Sequence, residues 1–189
     1  MATLVVCGPI GAGKSRAVKA FAEKGYAVVS FSRLVRKECA QRDFLITREN
    51  CQRVGQELFE SLGPEGIVAA AMAAAGVTGF DKIIFDGVRH SSVLDVIERR
   101  ASHVVTVYVD SPQRVRYERY KKREGLSRLS LNDFRAIDEH PIEAGTQTLI
   151  KRANVIIDNA TSETDFEVAL QNIAMQGSSD GATHSTHSN

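Results

Sequence analysis

The stretch that most constrains this chain is Gly-Pro-Ile-Gly-Ala-Gly-Lys-Ser, residues 8–15. Its spacing, G-x-x-x-x-G-K-S, is typical of a phosphate-binding loop. An apolar run, Thr3–Cys7, precedes the loop, and an amphipathic helical pattern from Lys14 to Lys24 follows it. Glycines let the backbone curl so that successive N–H groups face an anion, and the N-terminus of the following helix adds positive potential. The sequence therefore predicts a nucleotide site on a strand–loop–helix unit.

Each residue of the loop has an expected role. Lys14 reaches the β- and γ-phosphates, and the Ser15 hydroxyl ligates Mg²⁺. The backbone that surrounds the phosphates is expected to come from Gly8, Pro9, Ile10, Gly11, Ala12 and Gly13. These roles predict ATP and Mg²⁺ as ligands and Lys14 as a catalytic residue.

The bulk properties fit one soluble domain. A chain of 189 residues can bury one α/β core. Its formal net charge is +1, so no overall field draws it to nucleic acid or to a membrane. Its cysteines are three, widely spaced and without a preceding leader pattern, so we expect reduced thiols in a cytoplasmic protein. The longest apolar run, residues 67–77, is alanine-rich and predicts a buried helix, not a membrane span.

Short apolar segments alternate with helical patterns along the chain. They cover residues 3–7, 26–30, 80–86, 103–110 and 155–158. This alternation predicts an α/β fold, a five-stranded parallel sheet with helices on both faces and ligands at the carboxyl ends of the strands.

Cap and break residues delimit the predicted helices. Ser32, Thr47 and Ser130 are predicted N-caps, and Asp133 stands in the capping-box position after Ser130. Gly63-Pro64 should end one helix and start another. The polar segment 177–189 cannot bury a core and is expected to be disordered, which leaves a domain of residues 1–176.

Polar residues follow the strands at the predicted ligand edge. Asp86 ends a buried strand, and in a phosphate-loop protein such an aspartate commonly holds the Mg²⁺ shell or orients the acceptor, so we expect it to be catalytic. Arginines suit phosphate because their guanidinium is a planar fork of donors. The predicted acceptor contacts are Arg33, Arg36, Arg89 and, as a candidate for hydrogen bonding to a base, Gln56.

A basic helix is predicted from Ser111-Pro112 to about Arg123, before the break at Glu124-Gly125. Arg116, Arg119 and Arg123 share one face of this helix. We expect residues 114–140 to form a small helical lid whose Arg119 and Arg123 contact and neutralise the transferring phosphates. A solvated basic face and a nucleic-acid patch are the alternative interpretations.

These residues resemble the nucleoside-monophosphate kinases. The phosphate loop, the arginines after the second strand and Asp86-Gly87-Val88-Arg89 are similar to that pattern, and the resemblance implies that Arg33, Arg36 and Arg89 bind an acceptor phosphate. Residues 153–159 are similar to the end of dephospho-CoA kinases and of their archaeal relatives of uncertain activity, which implies that Asn159 lies near the adenine. Taken together, these resemblances imply the three-layer sandwich of the P-loop kinase superfamily.

The sequence therefore predicts an ATP-dependent phosphotransferase acting on a nucleotide-like acceptor, either an NMP or dNMP or a dephospho-CoA-like molecule. Dephospho-CoA kinases usually carry an aspartate just after strand two, whereas residues 30–33 here are Ser-Phe-Ser-Arg. A kinase for a base, sugar or end within a polynucleotide is one alternative. A non-catalytic ATP-dependent switch is another, and the protein could be a monomer or a homodimer.

Overall fold

A computed structural model describes residues 2–160 and 166–173, so the predicted disordered tail lies outside the described residues. The strands are Thr3–Cys7 (β1), Ala27–Ser30 (β2), Ile83–Asp86 (β3), Val104–Asp110 (β4) and Val155–Asp158 (β5). The helices are Lys14–Glu23 (α1), Phe31–Gln41 (α2), Arg48–Ala75 (α3), Ser91–Arg100 (α4), Gln113–Glu124 (α5), Leu131–Asp138 (α6), Pro141–Thr148 (α7), the 3₁₀ turn Leu149–Arg152 and residues 166–173 (α8).

The sheet is parallel throughout, with strand order β2-β3-β1-β4-β5. Its two faces are both covered, as the continuous burial of β1 requires. Val5 and Cys7 point into the core shared with α3 and α4, while Leu4 and Val6 pack with α1 and α8 on the other face. The predicted α/β class, the five parallel strands and the helices on both faces are confirmed.

The register of the strands determines which loops meet. β1 is central and pairs with β3 and β4, with Val6 opposite Asp86 and Cys7 opposite Tyr108. The carboxyl ends of these three strands therefore lie side by side. The loop of residues 8–15 and the segment after Asp86 leave the sheet at the same edge.

Helix α3 begins as the sequence predicts and is broken where it predicts. The Thr47 hydroxyl accepts a hydrogen bond from the Asn50 N–H at 3.2 Å. Gly63 has φ 65° and ψ 178°, which no helical residue adopts, and Pro64 starts the second part. α3 is long and apolar enough to cross a membrane by length and composition alone, but it is kinked and packs its second part into the core through Val68.

Two local predictions have different outcomes. Ser130 and Asp133 form the predicted capping box at the start of α6. The prediction that Ser32 caps α2 is wrong, because the helix begins at Phe31 with Ser30 in the N-cap position. The Ser30 side chain is turned toward β3 and makes no cap hydrogen bond. Helices α5 and α6 occupy the segment predicted to form a lid, whose movement stays a prediction.

Candidate active site

The phosphate loop is pressed closely against its neighbours, which explains its glycines. A Cβ at Gly8 would lie 2.1 Å from the carbonyl oxygen of Val109. At Gly13, which caps α1 with φ 98°, a Cβ would lie 2.1 Å from Nδ2 of Asn159. Only glycine fits both the positive φ and these approaches. The loop is thus held in one shape by β4 and by the residue that follows β5.

Lys14 closes the loop on itself. Its Nζ donates hydrogen bonds to the carbonyl oxygens of Gly8 at 2.7 Å and Pro9 at 2.9 Å. Desolvation and then the positive charge of Arg89 lower the pKa of Lys14 to about 8, while the carboxylate of Asp86 opposes this shift. Lys14 is half-buried as a whole residue, and a bound polyphosphate would favour the charged form of its amine.

Ser15 and Asp86 supply the oxygens that a magnesium ion needs. Ser15 is exposed as the second residue of α1, and Asp86 is partly exposed at the end of β3. The Ser30 hydroxyl donates to Asp86 Oδ2 at 3.0 Å, which fixes the carboxylate at the sheet edge. Mg²⁺ prefers one or two such protein oxygens together with phosphates and water, so these residues fit the ion. Among the described residues there is no cluster of three or more side chains that could hold a metal without a nucleotide.

Arg119 and Asn159 lie together on the outer side of the loop. Asn159 is 7% exposed, and its Nδ2 donates to the carbonyl oxygen of Ala12 at 2.7 Å. Arg119 donates through Nη2 to the Asn159 carbonyl at 2.8 Å. Both residues that were predicted to contact the nucleotide therefore touch the loop or its immediate neighbour. Their contacts with ATP stay predictions.

Arg116 differs from the other two arginines of its helical face. It is 8% exposed and forms a bidentate ion pair with Asp138, at 2.6 and 2.8 Å. It also donates to the carbonyl oxygens of Ile10 at 3.1 Å and Ser111 at 3.0 Å. Arg116, for which no phosphate contact was predicted, links α5 and α6 to the backbone of the phosphate loop.

An open cleft, of about 960 Å³ when the solvent-filled space at its mouth is included, lies between α2, α3, α5 and the segment after β3. Four arginines line it, namely Arg36, Arg48, Arg89 and Arg123. Aromatic and apolar side chains make up much of the rest, including Phe31, Phe59 and Tyr120. This combination of cations and flat apolar surface suits an anion that carries a ring.

Arg48 and Arg89 share a buried partner at the wall of the cleft. Both donate to Oε1 of Glu143, whose side chain is 5% exposed. Burial and then the charge of Arg48 lower the pKa of Arg89 to about 10, so the guanidinium stays charged at neutral pH. Burial also lowers the pKa of Arg48. The two guanidinium groups therefore share one hydrogen-bonded carboxylate, while Asp86 and Glu124 act on them only at longer range.

Two polar side chains in the cleft have unused hydrogen-bonding atoms. The His90 ring stacks on Phe59 with 4.0 Å between centroids and an angle of 11°. His90 Nε2 and Nε2 of Gln52, which is 7% exposed, are buried and have no hydrogen-bond partner in the part of the chain that the structure describes. Burial and the charge of Arg89 lower the pKa of His90, so its ring is neutral at pH 7. Unpaired buried groups of this kind are costly unless a ligand or water satisfies them.

The structure brings together some of the predicted acceptor residues. Arg36 and Arg89 line the cleft, and so does Arg123, which pairs with Glu124 at 2.8 Å. Arg33 and Gln56 are not among the residues that line it. Gln56 instead donates to Glu60 at 2.7 Å on the outer face of α3.

Sequence reasoning missed three residues that line the cleft, Arg48, Gln52 and His90, and also Glu143, which pairs with Arg48 and Arg89. Arg48 directly follows the predicted cap Thr47, which is the one signal available for it. Nothing in the pattern around Glu143 distinguishes it from an exposed helix residue.

Comparisons with known proteins agree with this architecture. The chain is 27% identical over 175 residues to a UPF0200 protein of Thermococcus kodakarensis, covering 90% of this chain and 95% of the relative. A UPF0200 protein of Pyrococcus horikoshii is 25% identical over 177 residues, covering 90% and 94%. The names of these archaeal proteins state no activity, which confirms the predicted resemblance to archaeal relatives of uncertain activity.

Solved structures share the fold. The protein TT1252 of Thermus thermophilus superposes with a TM-score of 0.63 at 19% identity, covering 93% of this chain and 97% of that one. A putative kinase of Chloroflexus aurantiacus gives 0.61 at 16% identity, covering 94% and 96%. A shikimate kinase of Bacteroides thetaiotaomicron gives 0.51 at 16% identity, covering 93% and 97%.

A family model described as an AAA domain matches residues 4–138. This range contains the phosphate loop, the end of β3 and the arginines of α5. Because the match spans well over half of the 189 residues, the chain belongs to the AAA domain family and has the fold of the P-loop kinases.

Proposed function

We propose that this protein is an ATP-dependent phosphotransferase that moves the γ-phosphate of ATP to a phosphorylated, nucleotide-like acceptor. An NMP or dNMP is the favoured acceptor, and a dephospho-CoA-like molecule is the second candidate. One observation carries the proposal. The cleft with four arginines and a stacked ring pair opens at the sheet edge from which the phosphate loop leaves. A site that only hydrolysed ATP would have no use for a second set of cations opposite the loop.

The roles follow from position. The loop and Lys14 bind the triphosphate of ATP, and Arg89 with Arg48 binds the acceptor phosphate. Asp86 lies at the end of β3, between the phosphate loop and the two arginines. There its carboxylate binds the hydrated metal ion or orients the acceptor. Magnesium, when bound with ATP, neutralises charge on the β- and γ-phosphates.

The reaction is an in-line displacement. An oxygen of the acceptor phosphate forms a bond to the γ-phosphorus, and the bond from that phosphorus to the β,γ-bridging oxygen breaks, releasing ADP. The chain contributes positioning and positive charge, since the phosphate acceptor needs no strong base. The rings of Phe59 and His90 offer a surface on which a base can stack.

The test is a transfer screen with labelled ATP and Mg²⁺ over NMPs, dNMPs, dephospho-CoA and oligonucleotides. We expect one NMP or dNMP to accept the label. Lys14→Ala should lower the rate by about a thousandfold with an unchanged melting temperature, whereas Lys19→Ala, on the exposed face of the same helix, should keep the wild-type rate.

The other outcomes identify the alternatives. Label on an oligonucleotide, with salt-dependent binding, would mean a polynucleotide kinase. ATP binding without transfer to any acceptor would mean a nucleotide-dependent switch and would overturn the proposal.

A further inference from the structure

The ion triad of Arg48, Glu143 and Arg89 brings together residues from three distant parts of the chain. Arg48 begins α3, Arg89 follows β3, and Glu143 lies in the first turn of α7. Both arginines donate to the same carboxylate oxygen, Oε1. Both line the cleft, whereas Glu143 lies behind them and is not a lining residue.

The fold holds Glu143 in this place. Its own N–H donates to the His140 carbonyl oxygen at 2.7 Å, which fixes the start of α7. Two residues further on, a Cβ at Gly145 would lie 2.5 Å from the carbonyl oxygen of Arg89. The glycine lets α7 lie directly against the backbone of Arg89, which places the Glu143 carboxylate within reach of both arginines.

The charges of the triad do not cancel. Two guanidinium groups and one carboxylate leave a net charge of +1 at the wall of the cleft. Nε of Arg48 is buried and has no hydrogen-bond partner among the described residues. A phosphate monoester dianion brings two charges and three acceptor oxygens, enough for both forks. A carboxylate brings one charge, which Glu143 already supplies without loss of translational freedom.

We propose that Glu143 is the resident counter-anion of the acceptor site, that a phosphate monoester dianion displaces it from Arg48 and Arg89, and that it thereby excludes carboxylate and uncharged sugar acceptors. The proposal rests on the proposed function only in taking the bound phosphate to belong to the acceptor. Glu143 is then the residue that determines acceptor class, although it belongs to no motif.

The test measures binding of inorganic phosphate at pH 8 by calorimetry, with no ATP present. All variants are made in the Lys14→Ala background, because the phosphate loop also binds phosphate. Glu143→Gln should bind phosphate about tenfold more tightly or better, since it removes a competing charge and leaves two arginines unpaired. Acetate should bind to Glu143→Gln and not to the protein with Glu143. Glu139→Gln, an exposed position at the preceding helix end, is the control and should change neither.

A third variant locates the effect. Adding Arg89→Gln to Glu143→Gln should remove the gain in phosphate affinity. Unchanged or weaker phosphate binding in Glu143→Gln would overturn the proposal, because Glu143 would then only orient the arginines.

The variant could be unfolded without phosphate, since it leaves two half-buried cations without their shared carboxylate. In that case phosphate should refold it, with the folded fraction rising to completion as phosphate is added. Failure to refold in saturating phosphate would also overturn the proposal. None of these measurements involves phosphoryl transfer. The proposed function can therefore fail while this inference stands, and this inference can fail while the proposed function stands.

Discussion

Asp138→Asn tests how α5 and α6 are fastened to the phosphate loop. The carboxylate accepts two hydrogen bonds from Arg116, at 2.6 and 2.8 Å, and the two side chains are 6% and 9% exposed. The same guanidinium donates to Ile10 of the loop at 3.1 Å. The pair is thus a buried, charge-assisted link between the helical segment and the backbone that surrounds the phosphates.

The cost of the substitution can be worked from these contacts. Removing one partner of a buried ion pair costs about 3–5 kcal/mol, because the other charge is left without compensation. Asparagine keeps the shape and one of the two hydrogen bonds, and Arg116 retains its backbone acceptors. We therefore expect the free energy of unfolding to fall by about 2–3 kcal/mol, or the melting temperature to fall by about 4–12 °C for a domain of this size.

Urea unfolding and the KM for ATP measure the two consequences separately. The double variant Arg116→Met with Asp138→Leu removes both charges and should recover most of the stability. It lacks the hydrogen bond from Arg116 to Ile10, which Asp138→Asn retains, and should raise the KM for ATP above that of Asp138→Asn. Glu23→Gln, in an exposed pair with Lys19 at 3.8 Å, should change neither quantity. A loss of stability in Asp138→Asn no larger than in Glu23→Gln would refute the reasoning.

Three further predictions concern the cleft. Burial and the guanidinium of Arg89 lower the pKa of His90 below the ordinary 6.5. The unfolded chain therefore binds the proton first, so the stability from a neutral His90 is full above about pH 6.5 and is lost as the pH drops through the lowered pKa. His90→Phe should flatten that fall in urea titrations from pH 8 to 5. Cys51, half-buried in the cleft wall, should react with iodoacetamide before the two buried thiols, as peptide mass spectra would show, and bound acceptor should slow it. Gln52→Leu should leave stability equal or higher, since Nε2 of Gln52 has no hydrogen-bond partner among the described residues, yet raise the acceptor KM about tenfold or more. Gln56→Leu, one turn away, should leave that KM unchanged, and equal effects of the two variants on the KM would contradict the assignment.

The donor half of the site could be predicted because its information is local. Eight consecutive residues specify the loop, and the strand before it and the helix after it are read from a few neighbours. The parallel sheet follows from alternation alone, and strand ends in a parallel sheet meet at one edge. Asp86 and Arg89 could therefore be assigned to the site from their place after a strand, without knowledge of the strand order.

The acceptor half could not be predicted in the same way, because it depends on how helices are turned about their axes. Gln52 and Gln56 are one turn apart, and the sequence favoured the one that lies outside the cleft. The rotation of α3 is determined by its packing and by the break at Gly63. Glu143 meets Arg48 across 95 positions of the chain, a contact that no local pattern records.

Helix α5 shows how far a shared helical face can mislead. Arg116, Arg119 and Arg123 do share a face, but seven residues of α-helix rise about 10 Å. The first arginine therefore meets the back of the phosphate loop, the second meets Asn159, and the third reaches the acceptor cleft. One helix thus connects the phosphate loop to the cleft proposed to bind the acceptor. Because its start is fastened by the buried pair with Asp138, a closing movement of the proposed lid has to occur beyond that anchor, where Arg123 and the αL residue Gly125 lie. Closure would then move Arg123 over the proposed acceptor site without disturbing the phosphate loop.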